Sequence, residues 1–506
     1  MPRNPGFSFL AGLFSVVLLA MALFGGSPTL PPDAVPARGN AQAPAGRKPD
    51  TTPASAPAGA TNITQEPESK PAENTPAPTP SGPLTQTVVH IVKPGESLTS
   101  LARHYLPQTI YLATAELASA ITEANTGKLD NSLRPGSAVS IPGVLAAPLA
   151  ERPVPVAKDF EVRGIYLTGY MAGSKQGLQL IRRWREAGGN TVVFDVKDMD
   201  GLVNVPFEHK LAPKRTYVPI RNLAKFAHFL HSLDLHAIAR IALFRDEYLA
   251  EHHPDLAVQS RGTGKAWLEN GKLVWADPSQ PEVQDYNLEL ARAVAASGVD
   301  EIQFDYVRFP SEGDQKDAAF AFAASHPDRQ RSDVIAGFLS RAYNELHPMG
   351  ILVSLDVFGV MAWQRPVDLE HTGQDIAVMA RFCDVLSPMI YPSHFFGMDG
   401  YDKPGDAPEH FIGESMARFS KITANTGVVL RPWLQAFAWR TKTYSDAYIR
   451  TQVSVAKEQK GVGFLFWNAR NDYSKVFPAM SEMRAEPDRF FGSDKPQEPH
   501  PPEQGN

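Results

Sequence analysis

Apolar residues along this chain fall into four regimes, and each predicts a different kind of structure. Residues 7–26, FSFLAGLFSVVLLAMALFGG, are apolar almost without a break and hold no Asp, Glu, Lys or Arg. About 20 such residues span a bilayer core as one helix. From Pro28 to Pro83 the periodicity vanishes. Fourteen of these 56 residues are proline and none is aromatic, so the stretch cannot bury enough surface to offset chain entropy. Residues 27–86 are therefore predicted to be a disordered Pro/Ala-rich linker, extending at roughly 3 Å per residue.

Patterning returns over residues 88–142. Val88, Val89, Ile91 and Val92 form a short β-branched run, and Pro94-Gly95 marks a turn. Ser97 is placed to cap a helix whose stripe is Leu98, Leu101, Ala102 and Tyr105, at i, i+3, i+4 and i+7. A second helix is predicted over 113–125, with Leu117 and Ile121 inward. Val139 and Ile141 then alternate in a closing strand. The module reads β-α-α-β.

The fourth regime, residues 160–484, alternates strand-like and helix-like patterns. Strand runs fall at 162–168, 191–196, 236–243, 301–307, 351–358, 385–391, 428–437 and 461–467. Helical stripes lie between them, as at 177–187 and 282–296. Ser279-Gln280-Pro281-Glu282 has the spacing of a capping box before the second of these. Eight strands alternating with helices predict an α/β fold, a (β/α)8 TIM barrel. The runner-up is a doubly wound open sheet, but no Gly-x-Gly-x-x-Gly follows the first strand. Residues 485–506 are Pro-rich and charged, and are predicted to be a disordered tail.

Strand parity then nominates a site, because barrel chemistry sits at the C-terminal strand ends. In the fourth strand Ile302, Phe304 and Tyr306 should face the helices, leaving Gln303, Asp305 and Val307 inward. In the fifth, Ser354, Asp356 and Phe358 should face inward. The second strand offers Asp195 and Lys197, the third Arg240, and the last three Tyr391, Gln435, Trp467 and Asn468. Two adjacent strands that each end in an inward Asp place two carboxylates across one cleft, as glycoside hydrolysis requires. Arg308 beside Asp305 would favour its ionised form. Asp305 and Asp356 are the predicted catalytic pair. Asp195, Lys197, Arg240, Arg308, Tyr391, Gln435, Trp467 and Asn468 are the predicted substrate-binding set.

Composition narrows the picture. Lys plus Arg is 49 and Asp plus Glu is 55, a net charge of −6, which argues against a nucleic-acid partner held by bulk charge. One cysteine, Cys383, excludes an intramolecular disulfide and any zinc site built on two cysteines. The histidines lack metal-site spacing, so neither a metal nor a cofactor is expected. Arg3 ahead of the apolar run predicts a cytoplasmic N-terminus and an exported remainder. The segment is expected to be a signal anchor or a signal peptide. The rest would lie on the periplasmic or cell-surface side, anchored in the inner (cytoplasmic) membrane.

Two resemblances add to this. His90-x-Val92-x-x-Gly95-Glu96-Ser97-Leu98, Ala102-x-x-Tyr105, Leu133-Arg134-Pro135-Gly136 and Ile141-Pro142 resemble a LysM module. The resemblance implies binding of peptidoglycan or another N-acetylglucosamine-containing glycan, with Gly95, Glu96 and Ser97 near the sugar. Trp275-Ala276-Asp277-Pro278-Ser279 and Gly298-Val299-Asp300-Glu301-Ile302-Gln303-Phe304-Asp305-Tyr306-Val307-Arg308-Phe309-Pro310 resemble the glycoside hydrolase-like barrel domains of unknown function. More distantly the barrel is similar to the α-amylase superfamily, which implies Asp305 as nucleophile and Asp356 as proton donor. The chain departs from that pattern by carrying Asp rather than Glu on the fifth strand and no acid on the seventh. The expectation is a polysaccharide hydrolase held on the cell envelope; the competing expectation is a glycan-binding scaffold without turnover.

Overall fold

The structure, a computed structural model, describes residues 84–126 and 133–492. The apolar run at 7–26, nearly all of the linker and the last residues of the tail lie outside that range. Among the described residues no helix is long and apolar enough to cross a membrane.

The small module is β1 (Thr85–Ile91), α1 (Leu98–Tyr105), α2 (Thr114–Ala124) and β2 (Ala138–Leu145), with β1 and β2 antiparallel. The strand thus begins two residues inside the predicted linker, because Thr85 and Gln86 pair with Leu145 and Val144. Ser97 caps α1 by accepting from Ser100 N, and Gly95 turns the chain at φ +84, where a side chain would be strained. Val92, Leu101, Ala102, Leu117, Ile121, Val139 and Ile141 form its core. The module touches the barrel through Leu112, which packs on the barrel's core, and through two polar contacts. Lys225 Nζ donates to Leu106 O at 2.7 Å, and Arg182 pairs with Glu116 at 3.2 Å.

All eight predicted barrel strands form: β3 (Val162–Leu167), β4 (Thr191–Lys197), β5 (His236–Ala242), β6 (Glu301–Asp305), β7 (Leu352–Phe358), β8 (Val385–Ile390), β9 (Trp433–Gln435, with Val429–Leu430 before it) and β10 (Gly463–Trp467). Every neighbour is parallel, and β10 pairs with β3, which closes the barrel. The main helices are α3 (Lys175–Glu186), α4 (Leu223–His231), α5 (Pro281–Ala295), α6 (Arg331–Leu346), α7 (Pro408–Ile422), α8 (Asp446–Glu458) and α9 (Val476–Ala485). Side-chain alternation splits the core in two. Outward residues such as Phe194, Ile241, Phe304 and Leu355 meet the helices, while Val162, Tyr166, Val193, Ile238, Trp433 and Leu465 fill the barrel. Gly164 faces inward between Val162 and Tyr166. A Cβ there would lie 2.5 Å from Leu465 Cδ2, so glycine makes the interior layer fit.

Two local expectations change. Ser279 does not cap α5: Gln280 is the N-cap, and Ser279 Oγ donates to Asp277 Oδ1 at 2.7 Å. Nor is the tail irregular from residue 485. Pro487–Phe490 is helical, and Phe490 and Phe491 are each only 5% exposed, packed on the barrel's helical layer.

Candidate active site

The C-terminal mouth of the barrel is organised by one buried guanidinium. Arg240, on β5, donates through Nη1 to Asp195 Oδ1 at 2.5 Å, and through Nη2 and Nε to Asp305 Oδ2 at 2.6 and 3.1 Å. Its Nε is 3.8 Å from Asp356 Oδ2, and Asp198 Oδ1 is 3.4 Å from Nη1. Four carboxylates therefore share one fixed positive charge. Asp195 and Asp356 are each 1% exposed and Asp305 is 6% exposed. Buried charge in such excess is costly, so the cluster holds protons. Burial, then repulsion from Asp305, pushes the Asp356 carboxyl well above the usual range. Burial, augmented by Asp198, pushes Asp195 up to about 8 against the pull of Arg240.

Each carboxylate is fixed by a different neighbour. Trp433 Nε1 donates to Asp356 Oδ1 at 2.7 Å, and the Tyr166 hydroxyl donates to Asp195 Oδ2. Tyr306 N donates to Asp305 Oδ1 at 2.6 Å, and Tyr306 adopts φ 51, a left-handed backbone that is strained for a tyrosine. That twist ends β6 immediately after Asp305.

The predicted residues divide on this geometry. Asp305, Asp356, Asp195 and Arg240 converge. Lys197 does not join them. A bulge follows Asp195, because Lys197 rather than Val196 is the next residue to pair with β5. Lys197 Nζ is thereby turned to Asp246 Oδ2 at 2.8 Å and to Asn287 Oδ1 of α5 at 2.9 Å. Arg308 does not pair with Asp305 either. The turn at Tyr306 sends its guanidinium to Phe309 O, between the rings of Trp275 and Phe358. Gln435 is fully buried and staples loops, accepting from Ser393 N and donating to Phe437 O and Thr441 Oγ1. Asn468 likewise donates to Ala436 O and Asp472 O. Tyr391 and Trp467 stand beside the carboxylates: Trp467 stacks on Tyr166 with ring centres 5.9 Å apart and lies 5.9 Å from Tyr391.

The sequence analysis missed Tyr166, Asp198 and the bond from Trp433. Tyr166 was within reach, since Val162, Gly164 and Tyr166 alternate as the inward residues of the first strand. A second acidic pair sits in the loops beyond the mouth. Glu269 Oε1 accepts from Trp275 Nε1 at 2.8 Å, and burial with repulsion from Glu269 raises Glu312 to about 8. In the module, Glu96 accepts from His90 Nε2 and from Lys93 N, both at 2.7 Å; Ser97 caps α1 and Gly95 opens onto free space.

Comparison with known proteins agrees with this architecture. A family model described as "Putative glycosyl hydrolase domain" matches residues 164–473, and a LysM domain model matches residues 90–142. Among curated proteins nothing matches. A solved hypothetical protein from Ruminiclostridium thermocellum is 33% identical, over 38% of this chain and 97% of its own, with a TM-score of 0.33. The PgaB (BpsB) glycoside hydrolase domain of Bordetella bronchiseptica is 16% identical, over 66% of this chain and 100% of its own, with a TM-score of 0.49. The spore cortex-lytic enzyme SleL of Bacillus megaterium is 13% identical, over 80% and 86%, with a TM-score of 0.40. With a closed eight-stranded barrel, a carboxylate cluster at its C-terminal mouth and a family match over more than half of its length, the chain belongs to the family described as "Putative glycosyl hydrolase domain" and carries a LysM domain ahead of the barrel.

Proposed function

We propose that this protein hydrolyses a glycosidic bond in a cell-envelope polysaccharide, with Asp305 as nucleophile or base and Asp356 as proton donor. One observation carries the reading: four carboxylates around a single guanidinium at the barrel mouth, with the Asp356 carboxyl pushed well above its usual range by burial and by Asp305. Glycoside hydrolysis needs this asymmetry, one carboxylate ionised and one keeping its proton. Asp305 accepts only from N–H donors, those of Arg240 and Tyr306, and is the nucleophile or base of this reading. Asp356, steadied by Trp433, delivers its proton to the leaving oxygen. Arg240 keeps Asp305 and Asp195 in place, and Tyr166 orients Asp195.

The LysM domain would hold the enzyme on peptidoglycan. The apolar run at residues 7–26 supports export, with that segment as signal peptide or inner-membrane anchor. The competing reading, a glycan-binding scaffold, draws on the two Arg240 bonds that already occupy Asp305 Oδ2. An assay of sugar release from isolated envelope polysaccharides by the full chain separates them. Release that is lost in Asp305→Asn supports the enzyme. Glycan binding without release, or equal release by both proteins, overturns it.

A further inference from the structure

Beyond the carboxylates, the loops after β8 and β9 enclose a cleft of about 420 Å³, inside the size range of small-ligand sites. Ser393, Phe396, Lys403, Asp406, Arg440 and Thr441 are among the residues that line it. Four features distinguish it from an ordinary surface depression.

An aromatic path runs toward it from the catalytic mouth. Tyr166 stacks on Trp467, and Trp467 is followed by Tyr391, His394 and Trp439, each ring centre within 6 Å of the next. Arg440 ends the path, its guanidinium 4.6 Å from the Trp439 ring and 5.1 Å from that of Phe396. Sugar rings pack their C–H faces on such surfaces, because the stack buries apolar area while the hydroxyls stay wet.

Second, the cleft carries an excess of positive charge, Lys403, Arg440 and Lys442 against Asp402 and Asp406. Lys403, Arg440 and Lys442 line it and are exposed, and none lies within ion-pairing distance of a carboxylate among the described residues. Third, of the two acids in the lining, Asp406 is already engaged: it accepts from Thr443 N and Thr443 Oγ1, both at 2.9 Å. Fourth, Ser393, 2% exposed, has a buried hydroxyl with no hydrogen-bond partner among the described residues. A buried hydroxyl left unpaired is costly, so a ligand oxygen is its natural complement.

We propose that this cleft is a distal subsite of the same glycan groove and that it takes a sugar residue bearing a carboxylate. Arg440 and Lys403 would receive the carboxylate, Phe396 and Trp439 the ring, and Ser393 a hydroxyl. The inference rests on the glycan-hydrolase reading for its polymer, but its test does not depend on turnover.

The test is titration of the full chain by calorimetry with three tetrasaccharides: tetragalacturonate, a peptide-free N-acetylglucosamine–N-acetylmuramic acid tetramer, and neutral chitotetraose. The LysM domain contributes equally to wild type and variants, so differences between them report the cleft. Lys403→Ala/Arg440→Ala is expected to weaken at least one acidic probe about tenfold or more, the scale of one lost charge-assisted bond. Chitotetraose should stay within about twofold. Ser393→Ala should weaken the same acidic probe by a few-fold, with an unchanged melting temperature as the folding control. Acidic probes that bind wild type and double variant alike overturn the subsite. If Arg440-dependent binding persists while wild type and Asp305→Asn release no sugar, the subsite stands and the hydrolase reading fails.

Discussion

The barrel encloses two buried ion networks, one at each end, and they differ in how their charges balance. At the N-terminal end Glu301 takes Arg431 Nη1 on both oxygens at 2.9 Å and His236 Nε2 at 3.0 Å. One acid meets one guanidinium, both completely buried. Arg431 and the hydrogen bond from His236 hold the Glu301 carboxyl at about 2 despite its burial. At the C-terminal end four acids meet one guanidinium, and two are pushed up rather than down. Asp195 and Asp356 are about as buried as Glu301, so stoichiometry rather than burial decides the outcome. A matched pair stays charged and braces strands, whereas an acid excess keeps a proton that chemistry can use.

Mutations should separate the two ends. Asp305→Asn is expected to cut sugar release by about 10³-fold or more while the melting temperature stays near wild type. A melting loss as large as that of a Glu301 variant would break the comparison. Asp356→Asn should cost about 10²–10³-fold on natural glycan but far less on aryl glycosides whose leaving group needs no proton, as turnover assays with both substrates would reveal. Glu301→Gln should destabilise by about 3–5 kcal/mol in urea unfolding, since it leaves Arg431 uncompensated, with kcat of the folded fraction unchanged.

The two networks should also give stability limbs of opposite sign. Glu301 is depressed from 4.5 to about 2, so its contribution is full above pH 4.5 and is lost as pH falls toward 2, a matter of about 3 kcal/mol. Asp195 is raised from 3.8 to about 8, so its contribution is present below 3.8 and is lost as pH rises through 8. Urea unfolding across pH should find the acid limb missing in Glu301→Gln and the alkaline limb missing in Asp195→Asn. The smallest expected effect is that of Tyr166→Phe, about tenfold in kcat from one hydrogen bond to Asp195, with KM little changed.

Much of the fold was legible because its signals are local. Period-2 strands and period-3.6 helices located all eight strands, the module and the inward face of β6 and β7. Asp305 and Asp356 were found by that alternation alone. It failed where alternation is interrupted. The bulge after Asp195 turned Lys197 toward α5, and the left-handed Tyr306 turned Arg308 away from Asp305. Neither event leaves a mark in side-chain type, since both are backbone departures imposed by neighbouring strands and loops. Gln435 and Asn468 were read as ligand contacts because they are polar at strand ends, yet both satisfy loop backbone groups that only the folded loops bring near.

The sequence by itself determined the order of elements, the barrel, the LysM module and the presence of acids at the strand ends, because these follow from periodicity and residue type. Only the tertiary structure decided which charges meet. Asp195, Arg240, Asp305 and Asp356 come from four strands, separated by as many as 161 positions between Asp195 and Asp356. Closure of the barrel sets four acids against one arginine at its mouth and one acid against one arginine at its base. Charge balance is a property of that three-dimensional neighbourhood, and in the proposed mechanism it makes one end chemical and the other structural.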